Sequence, residues 1–224
     1  MLVDMIFTIP ELGPDEVRAI ELVEKVREEI KYALRAPARW FGTLRRNAFA
    51  RAIRGSNSIE GYDVSAEDAI AAAVGEPPME APTETWCAIT GYRLAMTYVL
   101  QLAGDRNFCY SEGLLKSLHF MMTQHELKKH PRTYRPGAVY VRDDQKQQVA
   151  YLGPEADMLP ELMREFVRSL NKTAATVPVI VRAAMAHLNL VMIHPFSDGN
   201  GRMARALQTL VLGREGILEP EFSS

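Results

Sequence analysis

The chain has 224 residues, 47% of them hydrophobic, with 26 Lys and Arg against 28 Asp and Glu for a formal charge of −2. That length buries a full core and favours one large domain, or a domain with a small helical extension, over two separate folds. The charge balance does not indicate a general nucleic-acid binder, because any basic surface has to be local.

Residues 1–10 lack a basic leader, carry Asp4 and are too short to span a membrane, so a cytoplasmic location without a membrane partner is expected. Pro14, Asp15 and Glu16 then open a segment with Val17, Ile20, Val23, Val26 and Ile30 at helical spacing, which predicts a helix over 14–34. Trp40, Leu44, Phe49 and Ile53 continue a helical face as far as Arg54, where Gly55, Ser56 and Asn57 predict a break or a new turn. Ser65 reads as an N-cap with Asp68 in the first turn, and residues 75–78, Gly-Glu-Pro-Pro, stop the helix that follows.

Thr83 is placed as the cap of a long helix to about residue 103, and Ser111 with Glu112 starts another carrying Leu114, Leu115, Leu118 and Met121 or Met122. Cys87 and Cys109 form no CxxC pair and lack the spacing of a disulfide-stapled secreted domain, so both are expected as reduced core residues. His119, His125 and His130 are read as helix-face or helix-end residues. Residues 139–141 and 149–151 are short β-prone runs flanking a polar stretch, which predicts one small hairpin. Pro154 and Glu155 open a helix to about Asn171, Pro178 opens another, and a last helix begins near Arg202. The fold class is therefore all-α with a small β-hairpin. The expected division is a helical region over 1–80 and a core over 81–224.

Residues 194–205, His-Pro-Phe-Ser-Asp-Gly-Asn-Gly-Arg-Met-Ala-Arg, form the densest run of reactive groups in the chain. Gly199, Asn200 and Gly201 permit backbone conformations that turn successive N–H groups into one hollow just before a helix N-terminus, where phosphate binds well. Arg202 and Arg205 can flank the same phosphate chain. Asp198 is a single carboxylate beside the hollow, the usual way Mg²⁺ is held when substrate phosphates and water complete its shell. His194 suits general-base work near neutral pH. Phe196 and Ile193 are expected as packing anchors.

Other readings of this run are weaker. Gly199, Gly201 and Ala204 fit a loose dinucleotide fingerprint, but that requires a preceding strand, and no P-loop occurs in the chain. His187, His194 and Asp198 lack the further nitrogen or sulfur ligand that zinc would need.

The run resembles the Fic family motif, HxFx(D/E)GNGRxxR, at His194, Phe196, Asp198, Gly199, Asn200, Gly201, Arg202 and Arg205. The resemblance extends to Ala186, His187, Ile193 and Pro195 and to the approach at Tyr134, Arg135 and Pro136, covering most of residues 110 to 215. A second run, Ser56 to Gly61, is similar to the family's inhibitory motif, (S/T)xxxE(G/N), in its N-terminal class.

The resemblance implies a Fic-fold helical bundle that uses ATP and Mg²⁺ to attach AMP to a Tyr, Ser or Thr hydroxyl of a target protein. His194 would be the catalytic base and Asp198 the metal ligand. Phe196, Gly199, Asn200, Gly201, Arg202 and Arg205 would form the nucleotide site. Ser56, Glu60 and Gly61 would be inhibitory, with Glu60 on Arg205 in place of the γ-phosphate. The hairpin resembles the family's flap, and Val139, Tyr140 and Val141 would hold a target segment as an added strand. Relatives that transfer a terminal phosphate, the Doc toxins, depart from the residues here at Gly199 and Arg202, which favours AMP transfer.

Two alternatives accompany this reading: a hydrolase that removes AMP, and a nucleotide-responsive regulator normally fused to a DNA-binding tail. The target protein is not specified by the sequence. Self-modification and a homodimer are compatible with the resemblance, and a nucleic-acid partner would require a C-terminal extension.

Overall fold

The computed structural model describes residues 6–33, 41–143, 148–172 and 177–217. Leu34, Trp40, the hairpin tip at 144–147 and residues 222–224 lie outside them. Among the described residues eight α-helices follow one another: α1 (Pro14–Ala33), α2 (Phe41–Ser58), α3 (Ala66–Val74), α4 (Thr83–Ala103), α5 (Glu112–Thr123), α6 (Leu159–Asn171), α7 (Val179–Ile193) and α8 (Asn200–Arg214). One antiparallel hairpin, β1 (Tyr140–Asp143) with β2 (Gln148–Leu152), stands between α5 and α6. Tyr140 faces Leu152 and Val141 faces Tyr151, with a register shift between Val141 and Arg142. The all-α class with a small hairpin is what the helical periodicity and the two short β-prone runs predict. No helix among the described residues is long and apolar enough to cross a membrane.

The helices form around α8. It packs against α7 and α4, and on its flanks against α2 and α5. Met203, Ala204, Leu207 and Leu210 of α8 are fully buried, together with Leu190 of α7, Val99 of α4, Ile53 of α2 and Leu118 of α5. Burying such side chains stabilises the fold by roughly 1.5–3 kcal/mol each, so the helix that carries the arginine pair is among the best-anchored in the molecule. Gly91 of α4 lets that helix touch α5, because a Cβ there would lie 2.6 Å from the Met121 carbonyl.

Local signals fix most boundaries. Ser65 Oγ accepts the Asp68 N–H at 3.0 Å, and Gly75 closes α3 in the left-handed region at φ 81°. Ser111 Oγ accepts the Leu114 N–H at 3.1 Å. Other boundaries differ from expectation. Thr83 is the first residue of α4 rather than its cap: Pro82, which has no N–H to satisfy, takes the cap position, and its carbonyl accepts from Trp86. The segment after Pro154 begins with a 3₁₀ turn over Ala156–Met158 before α6.

The expected break at residues 55–57 does not occur. The α2 helix runs through it to Ser58, because the buried Asn57 donates its amide to the Ile53 carbonyl at 2.8 Å and Ser58 Oγ donates to the Gly55 carbonyl at 3.2 Å. A mid-helix glycine costs about 1 kcal/mol, which tertiary packing overrides here. Of the cysteines, Cys87 is half-buried and Cys109 exposed, both free, so neither is a core residue.

Candidate active site

Helix α7 ends at His194, whose φ of 47° reverses the chain. The last carbonyls of a helix have no intrahelical partners, and here they build the site. The Leu190 carbonyl accepts the His194 N–H at 3.0 Å, the Met192 carbonyl accepts the Tyr151 hydroxyl at 2.5 Å, and the Val191 carbonyl lies 3.3 Å from His194 Nδ1. A carbonyl only accepts, so Nδ1 carries the proton and Nε2 keeps its lone pair. Burial lowers the imidazole pKa and the Arg135 charge lowers it further, against the opposing bond to Val191. Burial and the Arg135 charge therefore favour the neutral ring of His194.

The turn that follows is closed by its own side chains. Asn200 Oδ1 accepts the Phe196 N–H at 3.0 Å, and Asn200 Nδ2 donates to the Phe196 carbonyl at 2.8 Å. Phe196 and Asn200 are buried, and the amide of Asn200 is committed to this loop. Gly199, at φ 74°, caps α8 and so starts it two residues earlier than the sequence suggests; its carbonyl accepts the Met203 N–H at 2.9 Å.

His119 of α5, read from sequence as a helix-face residue, holds this turn from outside. Its Nδ1 accepts the Arg132 N–H at 2.8 Å, so its Nε2 carries the proton and donates to the Asp198 carbonyl at 3.0 Å. Its ring stacks on Phe196 at 3.8 Å and 6°. Burial, aided by Arg202, lowers its pKa to about 4 despite the bond to the Asp198 carbonyl. Because the folded-state value lies below the ordinary 6.5, the unfolded chain takes up this proton first. The stabilising contribution is complete above about 6.5 and is lost as pH falls towards 4. Thermal unfolding between pH 7 and 4.5 should show this slope. His119→Ala should lower stability by about 2–4 kcal/mol at pH 7 and flatten the slope. Nothing in the sequence marked His119; its partners are 79 and 13 residues away.

Arg135 is the second residue whose position only the fold reveals. It is 4% exposed, and its Nε donates to the His194 carbonyl at 2.8 Å, its Nη2 to the Pro154 carbonyl at 2.6 Å and its Nη1 to the Gly137 carbonyl. Its own N–H donates to Pro195 at 2.9 Å.

The arginine pair takes two different roles. Arg202 is fully buried, with its guanidinium 5.2 Å from the Tyr62 ring and Nη1 3.5 Å from the Met122 carbonyl. Its Nε and Nη2 make no hydrogen bond, although Nη2 lies 3.5 Å from Asp198 Oδ2. Arg205 reaches the end of α2: Nε donates to Ser56 Oγ at 2.7 Å, and Nη2 donates to the Ser56 carbonyl at 2.9 Å and to Glu60 Oε1 at 2.8 Å. A Cβ on Gly201 would collide with Glu60 Oε1, so the glycine admits the carboxylate over the first turn of α8. Gly61, at φ 84°, completes the turn in which Glu60 and Tyr62 both bond back to the Asn57 carbonyl.

Asp198 is partly exposed at 26% of its side chain. Burial pushes its pKa up, but Lys129 and the Gly199 N–H more than offset this and hold it below the usual range. Among the described residues no group of three or more His, Cys, Asp or Glu side chains is disposed to hold a metal. One ionised carboxylate at the rim of an anion hollow still fits Mg²⁺, which takes most of its shell from phosphates and water.

The structure thus brings Ser56, Glu60, Gly61, His194, Phe196, Asp198, Gly199, Asn200, Gly201, Arg202 and Arg205 to one end of the bundle. The hairpin is tied to it through Tyr151 and Arg135. Tyr140 is exposed at 62%, Val139 is half-buried, and the side chain of Val141 lies outside the described residues.

Residues 109–212 match the Fic/DOC family. The chain is 39% identical to the protein adenylyltransferase fic-1 of Caenorhabditis elegans over 72 residues, which are 30% of this chain and 14% of that protein. It is 27% identical to the protein adenylyltransferase Fic of Nematostella vectensis over 203 residues, 88% of this chain and 45% of that one. Among solved structures, a Fic family protein from Desulfovibrio desulfuricans G20 superposes with a TM-score of 0.73 at 26% identity, covering 96% of this chain and 62% of that one. The chain spans less than half the length of these curated relatives. From α5 through α8, with the hairpin between them, the chain is similar to the Fic/DOC family.

Proposed function

We propose that this chain is a protein adenylyltransferase, moving AMP from ATP to a Tyr, Ser or Thr hydroxyl of a target protein and restrained by Glu60. The observation that carries the reading is the Glu60 carboxylate, held by Arg205 at 2.8 Å over Gly201 at the N-terminus of α8. An anion already rests where the backbone N–H groups and the positive end of the helix favour one. The names of the related proteins supply the reaction class.

In this reading His194 Nε2 takes the proton of the acceptor hydroxyl. The hydroxyl oxygen attacks the α-phosphorus, and the bond to the β-phosphate oxygen breaks to release pyrophosphate. Arg202, buried with no hydrogen bond at Nε or Nη2, and Arg205 bind the outer phosphates. Asn200 shapes the hollow through Phe196, and the backbone of residues 199–201 faces the α-phosphate. Asp198 would hold Mg²⁺, which supplies charge neutralisation for the leaving phosphates. The hairpin, with Val139, Tyr140 and Val141 along β1, would seat the target segment.

The test is transfer from ATP labelled at either end, in a variant with Glu60 removed and with lysate as acceptor. Protein-bound label from the α-position with none from the γ-position supports the reading. The reverse pattern would show phosphate transfer and overturn it. Mass spectrometry of the same sample with mixed nucleotides gives the base and the acceptor.

A further inference from the structure

Beside the motif loop lies a residue that belongs to neither recognised run. After α5 the chain makes a 3₁₀ turn over Leu127–Lys129, closed by His130 at φ 49°. That turn delivers the Lys129 ammonium to three acceptors: Glu126 Oε2 at 2.7 Å, Asp198 Oδ2 at 2.9 Å and the Tyr62 hydroxyl at 3.4 Å. Two of these contacts are ion pairs and the third is a hydrogen bond to the Tyr62 hydroxyl, so the ammonium charge is already engaged by two carboxylates. Arg202 Nη2 approaches the same Asp198 oxygen, but from 3.5 Å. Lys129 is therefore the principal counter-charge of the carboxylate that the motif reserves for a metal.

We propose that Lys129 is a tethered cation standing at Oδ2 of Asp198, the carboxylate that would hold a divalent ion, so that the ion must compete with it and the metal affinity is set by that competition. The inference rests on the Mg²⁺–ATP reading of the site and adds a positioning residue to it. Displacement is feasible because the ammonium keeps Glu126 as a second anchor and because the Lys129 and Asp198 side chains are 31% and 26% exposed, leaving water access to both. The Tyr62 hydroxyl extends the contact to the residue directly after Gly61, so the segment that carries Glu60 also touches the competing cation.

The experiment measures Mn²⁺ binding by the loss of the free-ion electron paramagnetic resonance signal. It uses the full chain in a Glu60→Gly background with α,β-methylene ATP, which cannot release pyrophosphate. Lys129→Met should bind Mn²⁺ about tenfold more tightly, the scale of one unit charge removed from a few ångströms away in a half-exposed site. Lys129→Arg, which keeps the charge, should stay near the parent. Affinity for the analogue without metal should be unchanged in both. Unaltered or weaker Mn²⁺ binding by Lys129→Met overturns the proposal. So does a loss of metal-free analogue affinity, which would make Lys129 a phosphate ligand. Failure of the parent to bind the analogue at any Mn²⁺ concentration overturns the nucleotide reading and this inference with it, whereas binding without a Lys129 effect removes only the latter.

Discussion

Glu60→Gly is expected to raise incorporation from α-labelled ATP into protein by about 10²-fold, the scale on which misplacing reacting atoms by roughly 1 Å acts. The geometry isolates the effect. Arg205 is held at Ser56 by two hydrogen bonds that do not involve Glu60, so the guanidinium stays in place when the carboxylate is removed. What changes is the anion over Gly201, and with it the repulsion of a phosphate seeking the same donors. The Glu60 and Arg205 side chains are 19% and 24% exposed, so losing their pair should cost stability on the order of 1 kcal/mol, well short of unfolding the chain. Glu60→Gln, which removes the charge and keeps the size, should fall between the two. Labelling by Glu60→Gly no greater than by the parent would reduce the contact to a structural ion pair.

In that activated background, His194→Ala should lower transfer by about 10²–10⁴-fold, the usual contribution of a positioned base. The Val191 carbonyl fixes the tautomer and burial keeps the ring neutral, so the base form is the resident one at pH 7. Activity of Glu60→Gly should hold across neutral pH and fall only once the solution is more acidic than the ordinary imidazole range, because the residue's own pKa is lowered. His194→Asn separates chemistry from conformation. Asparagine tolerates the left-handed backbone found at this position better than alanine, so it should retain the loop and still lose transfer. Transfer that survives both substitutions would remove His194 from the mechanism.

The motif from 194 to 205 was legible because its chemistry is contiguous: base, carboxylate, glycines and arginines follow one another on one turn and the start of one helix. The Ser56–Gly61 run was legible only as a similarity, since its partner Arg205 lies 145 residues beyond Glu60 and no periodicity connects them. His119, Lys129 and Arg135 were not legible in these roles. Each serves through a contact to a backbone atom or to a carboxylate distant in sequence, and such contacts leave no spacing to read. Helix starts are legible where a side chain caps them, at Ser65 and Ser111, and not where a backbone conformation does the work, at Pro82 and Gly199. Glycine's local preference favours a break at Gly55, but the Asn57 amide and the burial of Ile53 outweigh it.

One guanidinium joins the hairpin to the turn at His194. Arg135 binds the carbonyl of His194, the chain entering the hairpin at Gly137 and the chain leaving the hairpin at Pro154. Mechanically the hairpin and the imidazole therefore share a rivet, reinforced by the Tyr151 hydroxyl on the Met192 carbonyl, and a load applied along β1 is transmitted to the backbone of residue 194. Under the proposed function, a segment that seats badly on the hairpin would tilt His194 as well, so poor docking and poor proton removal would arrive as one event.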